Sequence, residues 1–274
     1  MEYKLPKLPA RPQNSNKGTF GKVLNIAGSK YMTGAAYLSS VAALRIGAGY
    51  VELISSEEVL RVVSNLAPEI VLAPLEKLSE TINNSSVLSI GCGLSTSQSA
   101  FEIFTTAIDN VNNKPLVIDA DGLNILSELD YKFNKNTIIT PHPKEAARLL
   151  DVNLDNVLEN VESSSKNLAK KYNCITVLKT HKTIVTDGKN IYKNSSGNSA
   201  LAKAGSGDVL TGIISGLLAQ KMKPFDAAVL GVYLHGIAGE LAAKDLSEYG
   251  VLASDILSYI PFAIQNYLET TANL

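Results

Sequence analysis

Apolar residues fall into short runs along this chain, separated by polar, glycine-rich turns, and the runs alternate between a strand-like and a helical period. Val23-Leu24-Asn25-Ile26-Ala27 reads as a strand ended by Gly28-Ser29. Thr33-Gly34-Ala35-Ala36 opens a helix reaching about Ile46, with Ala35, Ser39, Ala42 and Ala43 along one side. Gly47-Ala48-Gly49 stops it, and Tyr50-Val51-Glu52-Leu53-Ile54 is the next strand, which makes a βαβ unit. A helix over 56–65 follows. Further strands are predicted at Val87-Leu88-Ser89-Ile90, Pro115-Leu116-Val117-Ile118 and Thr137-Ile138-Ile139, with helices over 123–129, 146–150 and 155–172. Ile175-Thr176-Val177-Leu178, Thr183-Ile184-Val185-Thr186 and Ile191-Tyr192-Lys193 read as consecutive strands, with a hairpin signal at Asp187-Gly188. Helices then start near Val209 and Pro224, and another occupies about 251–270. The order predicts one α/β domain over 1–274, a mostly parallel central sheet with helices on both faces, and an extended arm over 1–16.

The densest chemistry lies in Gly197-Asn198-Ser199-Ala200-Leu201-Ala202-Lys203-Ala204-Gly205-Ser206-Gly207-Asp208. Apolar residues at helical spacing begin at Val209, so Gly205-Ser206-Gly207 sits where a helix begins. The first amides of a helix lack internal partners and carry the positive end of its dipole. This is an anion hole suited to phosphate. Asp208, in the first turn, is placed to accept a proton from a hydroxyl attacking phosphorus. The same four residues also suit an ordinary helix cap.

Other candidates stand at strand ends, where open α/β sheets bind ligands. They are Gly91-Cys92-Gly93, Asp119-Ala120-Asp121-Gly122-Leu123-Asn124 and Thr140-Pro141-His142-Pro143-Lys144-Glu145. Asp119 and Asp121 suit either Mg²⁺ through water, or sugar hydroxyls, or a helix cap. The bend Lys179-Thr180-His181-Lys182-Thr183 suits either nucleotide phosphate or a solvated turn, and His235 reads as a packed or partly exposed helix residue.

Composition narrows the function classes. The net charge of −1 argues against nucleic acid as the main partner, and 45% hydrophobic residues allow a sizeable core. Cys92 and Cys174 are far apart and match no metal or redox spacing, so a reducing cytoplasm is expected. The first residues do not read as a signal peptide, and no uninterrupted apolar run of membrane length is found, so no membrane partner is expected.

Together these motifs resemble the ribokinase-like superfamily and, within it, the ADP- or ATP-dependent NAD(P)H-hydrate dehydratases. The resemblance rests on Lys17-Gly18-Thr19-Phe20-Gly21, Gly28-Ser29, Thr33-Gly34-Ala35-Ala36, Ala42-Ala43-Leu44-Arg45-Ile46-Gly47-Ala48-Gly49, Gly91-Cys92-Gly93-Leu94, the Asp119 segment, Thr140-Pro141-His142-Pro143-Lys144-Glu145-Ala146 and the segment from Ala204 to Leu210. It implies phosphorylation, by ADP or ATP, of the C6 hydroxyl of the S epimer of hydrated NADH or NADPH, then loss of phosphate. It implies Asp208 as base, and Gly205, Ser206 and Gly207 as the phosphoryl hole. Ala35, Gly93, His142 and Asp208 would contact the hydrated dinucleotide. Lys179, Thr180, His181, Lys182, Thr183 and Gly207 would contact the donor nucleotide, and Glu145 would organise Mg²⁺ through water. A homotetramer and a separate epimerase protein are implied as well. At a helix N-terminus, Asp208 is expected to have a low pKa. Two departures from the family pattern stand out: Ser199-Ala200-Leu201 in place of Pro-Gly-Met after Asn198, and no glycine after Lys179.

Overall fold

A computed structural model describes residues 3–272; positions 1, 2, 273 and 274 of the expected domain lie outside the described residues. The chain runs β1 (Lys22–Ile26), α1 (Thr33–Arg45), β2 (Tyr50–Ser55), α2 (Glu57–Leu66), β3 (Val71–Pro74), α3 (Leu78–Asn84), β4 (Val87–Ile90), α4 (Gln98–Asn110), β5 (Leu116–Ile118) and α5 (Asp121–Leu126). It continues through β6 (Thr137–Ile139), α6 (Pro143–Leu150), α7 (Leu154–Glu159), α8 (Val161–Tyr172), β7 (Ile175–Leu178), β8 (Ile184–Thr186) and β9 (Ile191–Lys193) to α9 (Ser206–Ala219), α10 (Pro224–Gly250) and α11 (Ala253–Ala272).

The described strands form one nine-stranded sheet in the order β3-β2-β1-β4-β5-β6-β7-β8-β9. Every pair from β3 to β7 is parallel, and only β7–β8 and β8–β9 are antiparallel. The alternation along each strand explains the two helical layers. Val23, Val51, Val87, Val117 and Val177 pack under α1, α9, α10 and α11, whereas Leu24, Ile26, Leu88, Ile118 and Ile139 pack against the helices of the opposite face. This is the ribokinase-like α/β arrangement expected from the sequence. The order reverses between β1 and β4, which opens a crevice beyond the carboxyl ends of the strands. Gly28 N donating to Cys92 O (2.8 Å) joins the two loops at that reversal.

Some expectations needed correction. The helix read over 155–172 is two, α7 and α8, because Asn160 leaves helical geometry between them (φ −126°, ψ 45°). Strand β3 and helices α3 and α4 were not expected at all. α10 is long and apolar enough to cross a membrane by length and composition, yet 67% of that window is buried within the protein. Its apolarity is therefore accounted for by the core. His235 on α10 is buried, which decides for packed over partly exposed.

Candidate active site

Helix α9 begins without a cap of its own. Gly205 holds the N-cap position at φ +90°, a left-handed conformation that glycine adopts at little cost, and no side chain caps the helix. Ser206 N is taken by Lys203 O (3.2 Å). Among the described residues, nothing accepts from the amides of Gly207 and Asp208. Gly205 N likewise has no acceptor among the described residues, so of the three amides expected from sequence only Ser206 N is taken, and Asp208 N adds a further open donor. Ser206 instead serves packing: its Oγ lies 3.1 Å from Nε2 of buried His235. Burial pushes His235 down to about 4, so it is a neutral partner at neutral pH.

Asp208 stands beside the open amides and is partly buried. Its expected low pKa is overturned. Burial, with the Asp119 charge adding to it, pushes Asp208 up to about 6, against the opposing Cys92 thiol and Lys179 ammonium. Desolvation outweighs the helix dipole here because the dipole acts on a carboxyl already turned away from water. A carboxylate near 6 is a better base at neutral pH than an ordinary aspartate.

The Lys179 bend divides into an inner and an outer part. Lys179 turns inward: Nζ bonds Asp119 Oδ1 at 2.7 Å, and its side chain is 21% exposed. A Cβ placed on Gly207 would lie 3.3 Å from Lys179 Nζ and 3.6 Å from Asp119 Oδ2, so the ammonium abuts the start of α9. Burial works against the Lys179 charge, but the Asp119 and Glu145 carboxylates prevail and hold its pKa above the ordinary value. Thr183 Oγ1 donates to Thr180 O (3.1 Å), and Lys182 N donates to Thr180 Oγ1 (3.2 Å), which closes the bend. His181 and Lys182 are exposed at its tip. Residues 179–183 are not among those with positive φ, so the bend forms without the missing glycine. Ser199-Ala200-Leu201 likewise forms a short 3₁₀ turn, capped by Asn198 Oδ1 on Ala200 N (3.1 Å).

On one side of the crevice, Gly93 lies against α1: a Cβ there would be 2.8 Å from the Ala35 Cβ. On the other side, His142 caps α6. Its Nδ1 accepts from Lys144 N (3.1 Å) and Glu145 N (3.2 Å), and His142 N donates to Glu145 Oε2 (2.8 Å). This reciprocal capping box is what the prolines on either side of His142 prepare. Burial and Lys179 hold His142 below its ordinary pKa. Burial pushes Glu145 up to about 7, against Lys179 and with Asp119 adding to it.

Asp119, open from sequence between Mg²⁺ through water, sugar hydroxyls and a helix cap, is committed to partners within the protein. It is 1% exposed at the end of β5, with Oδ1 on Lys179 and Oδ2 accepting from Thr211 Oγ1 (2.7 Å). Neither aspartate is the side-chain cap of α5; the N-cap position is Ala120, at positive φ (φ 48°, ψ −119°). Asp121 instead accepts from Ser95 N (2.8 Å) and Asn124 Nδ2 (3.2 Å). A signal for Asp119 was available: an aspartate directly after a three-residue buried strand must find a partner inside the protein.

Comparison with known proteins identifies the family. The family model described as NAD(P)H-hydrate dehydratase matches residues 23–262. The ADP-dependent (S)-NAD(P)H-hydrate dehydratase of Neisseria meningitidis is 39% identical, the match covering 90% of this chain and 86% of that protein. The bifunctional NAD(P)H-hydrate repair enzyme of Moorella thermoacetica is 35% identical over 96% of this chain and 53% of its own length. The chain thus spans about half the length of such bifunctional relatives. The ADP/ATP-dependent NAD(P)H-hydrate dehydratase of Bacillus subtilis, co-crystallised with ATP/Mg²⁺, has TM-score 0.84 and 30% identity, covering 95% of this chain and 94% of that one. The span of the family model and the identity to these relatives agree, and the chain belongs to the NAD(P)H-hydrate dehydratase family.

Proposed function

We propose that the protein dehydrates the S epimer of hydrated NADH or NADPH, using ADP or ATP as phosphoryl donor. The observation that carries this reading is convergence at one point of the crevice. The open amides of Gly207 and Asp208, the Asp208 carboxyl and Lys179 Nζ all meet at the start of α9. The names of the Neisseria and Bacillus relatives support the substrate and the donor.

In this reaction the C6 hydroxyl attacks the terminal phosphorus of the donor. Its proton passes to Asp208, and the bond to AMP (or ADP) breaks with its electron pair. Phosphate is a far better leaving group than hydroxide. The ring nitrogen lone pair expels it, and loss of a proton from C5 restores the dihydronicotinamide. The amides at the start of α9 stabilise the transferring group. Ala35, Gly93 and His142 hold the dinucleotide, and the bend from Lys179 to Thr183 holds the donor.

Among the described residues, no three His, Cys, Asp or Glu side chains group as a metal cage. The fit to Mg²⁺ is of another kind. Glu145 is a buried carboxylate whose charge is under-compensated, and Mg²⁺ is commonly held by one or two carboxylates, waters and substrate phosphates. Glu145 would hold it through water, and the ion would neutralise phosphate charge. A cytoplasmic setting, a homotetramer and an epimerase supplied by a separate protein complete the proposal. Buried, unpaired Cys92 and Cys174 support the first, and exposed Tyr249, Leu252 and Phe262 near the chain end support the second.

The test is recovery of the near-ultraviolet dihydronicotinamide absorbance from hydrated NADH with Mg²⁺ and either ADP or ATP. Recovery that needs a nucleotide and is lost in Asp208→Asn supports the proposal. No recovery with either donor, from protein that binds nucleotide, rejects it and favours a small-molecule kinase.

A further inference from the structure

The geometry points to Asp119 as a positioning residue that, clamped by Thr211, aims Lys179 Nζ at the phosphoryl group in flight above the start of α9. This assignment rests on the proposed dehydration. Asp119 has both carboxylate oxygens committed: Oδ1 to Lys179 Nζ and Oδ2 to Thr211 Oγ1, each at 2.7 Å. Thr211 lies one turn into the helix whose open amides form the anion hole, and it is fully buried. The lysine is thus tied, through Asp119, to the element that holds the phosphate. A flexible four-carbon side chain gains one fixed position from this tie.

Lys179 enters from the end of β7, and its backbone N donates to Pro141 O (2.8 Å), beside His142. The ammonium therefore bridges the His142 side of the crevice and the Gly207 side. In the transfer, the P–O bond to AMP breaks and the bond to the C6 oxygen forms. The hydroxyl proton passes to Asp208, and Lys179 keeps its own proton throughout. Its role is to oppose charge on the phosphoryl oxygens, where a fixed charge acts without reorganisation. Asp119 touches neither substrate nor donor: it positions Lys179 and adds its charge to the field at Asp208.

The groups facing Asp208 give a signature that simple loss of structure does not. They are Cys92 from the end of β4, Asp119 from the end of β5, Asp121 from α5 and Lys179 from the end of β7. Asp119 and Lys179 carry opposite charges, so removing them moves the acid limb of the rate profile in opposite directions.

The experiment measures kcat, KM and the pH profile with hydrated NADH and ADP. It compares wild type, Asp119→Asn, Lys179→Met, the double variant and Thr211→Val, each checked for thermal unfolding. Asp119→Asn and Lys179→Met are each expected to lower kcat by about 10²- to 10³-fold, with KM for the dinucleotide little changed. The double variant is expected to be no worse than Lys179→Met, because the two act as a unit. The acid limb should shift down in Asp119→Asn and up in Lys179→Met. Thr211→Val, which removes one hydrogen bond and no charge, should lose about tenfold in kcat. Near-wild-type turnover in folded Asp119→Asn overturns the assignment, as do additive losses or acid limbs that move together. If Asp119→Asn does not fold, Lys179→Met and Thr211→Val decide by the same criteria. If wild type does not repair hydrated NADH, the reaction itself is rejected, and ADP affinity measured by calorimetry decides the assignment. Weaker ADP binding in both Lys179→Met and Thr211→Val then supports it, and unchanged affinity overturns it.

Discussion

α6 and α9 both start at the mouth of the crevice with amides aimed toward it, and they treat those amides in opposite ways. At α6, the His142 ring and the Glu145 carboxylate close the turn on itself, so the free donors are spent within the protein. At α9, Gly205 offers no side chain, and the amides of Gly207 and Asp208 have no protein partner. A satisfied N-terminus presents side chains to a ligand; an unsatisfied one presents backbone. The contrast teaches why two anionic groups in one crevice would be handled differently. The α9 end suits the transferring phosphoryl, and the α6 end suits a ring or ribose reached by His142.

The sharpest break of this comparison is Asp208→Asn. It is expected to cut kcat by about 10³-fold or more, since it removes the proton acceptor, while the open amides stay in place. Steady-state kinetics check the loss; a drop below tenfold would remove Asp208 from the role of base. Gly207→Ala comes next. Its methyl would press on the Lys179 ammonium at 3.3 Å, and about 10- to 100-fold in kcat is expected to go, with little change in unfolding temperature. If kcat holds, the phosphoryl does not pass over this residue.

Smaller effects test α6. His142→Ala should cost about 1 kcal/mol of stability by losing the cap, and His142→Asn should regain most of it, because asparagine caps well. Equal stabilities in denaturant titrations would mean the capping box contributes nothing. The smallest expected effect is in pH. Asp208 and Glu145 have folded-state pKa values raised to about 6 and about 7, above their unfolded values. Between about pH 4 and 7 the folded state therefore holds more protons than the unfolded state, and stability falls as pH rises through that window. Asp208→Asn should flatten part of this slope and be on the order of 1 kcal/mol more stable than wild type at pH 8. Unfolding curves across pH measure it, and a slope of opposite sign would show that other groups dominate.

Much of the fold could be read in the residues, for reasons that differ by element. β1 with α1, β2, the β8–β9 hairpin and α9 carry clear apolar or small-residue runs and sharp glycine punctuation. β3 is four residues ending in Pro74, too short for a period to declare itself. α4 starts at a Ser97 cap on Ala100 N (3.3 Å), a local signal diluted by neighbouring serines and threonines. In the site, the Gly205–Asp208 segment was legible because backbone chemistry leaves a compositional mark. Asp119 and the inward turn of Lys179 were not, because their meaning lies in a contact across 60 positions of sequence. The raised pKa of Asp208 was missed for the same reason: helix position is local, while desolvation and the Asp119 charge come from the tertiary fold.

The packing of α9 on α1 has a consequence for how the protein comes into being. Gly212 and Gly216 bring the α9 backbone against Ser39 and Ala43 of α1, with no space for even a methyl group between them. The two helices belong to opposite thirds of the chain, so this contact closes a very long loop, whose entropic cost must be met before the contact can form. Hydrogen exchange of the α9 core amides is expected to follow global unfolding, whereas those of exposed His181 and Lys182 at the tip of the bend should exchange through local opening.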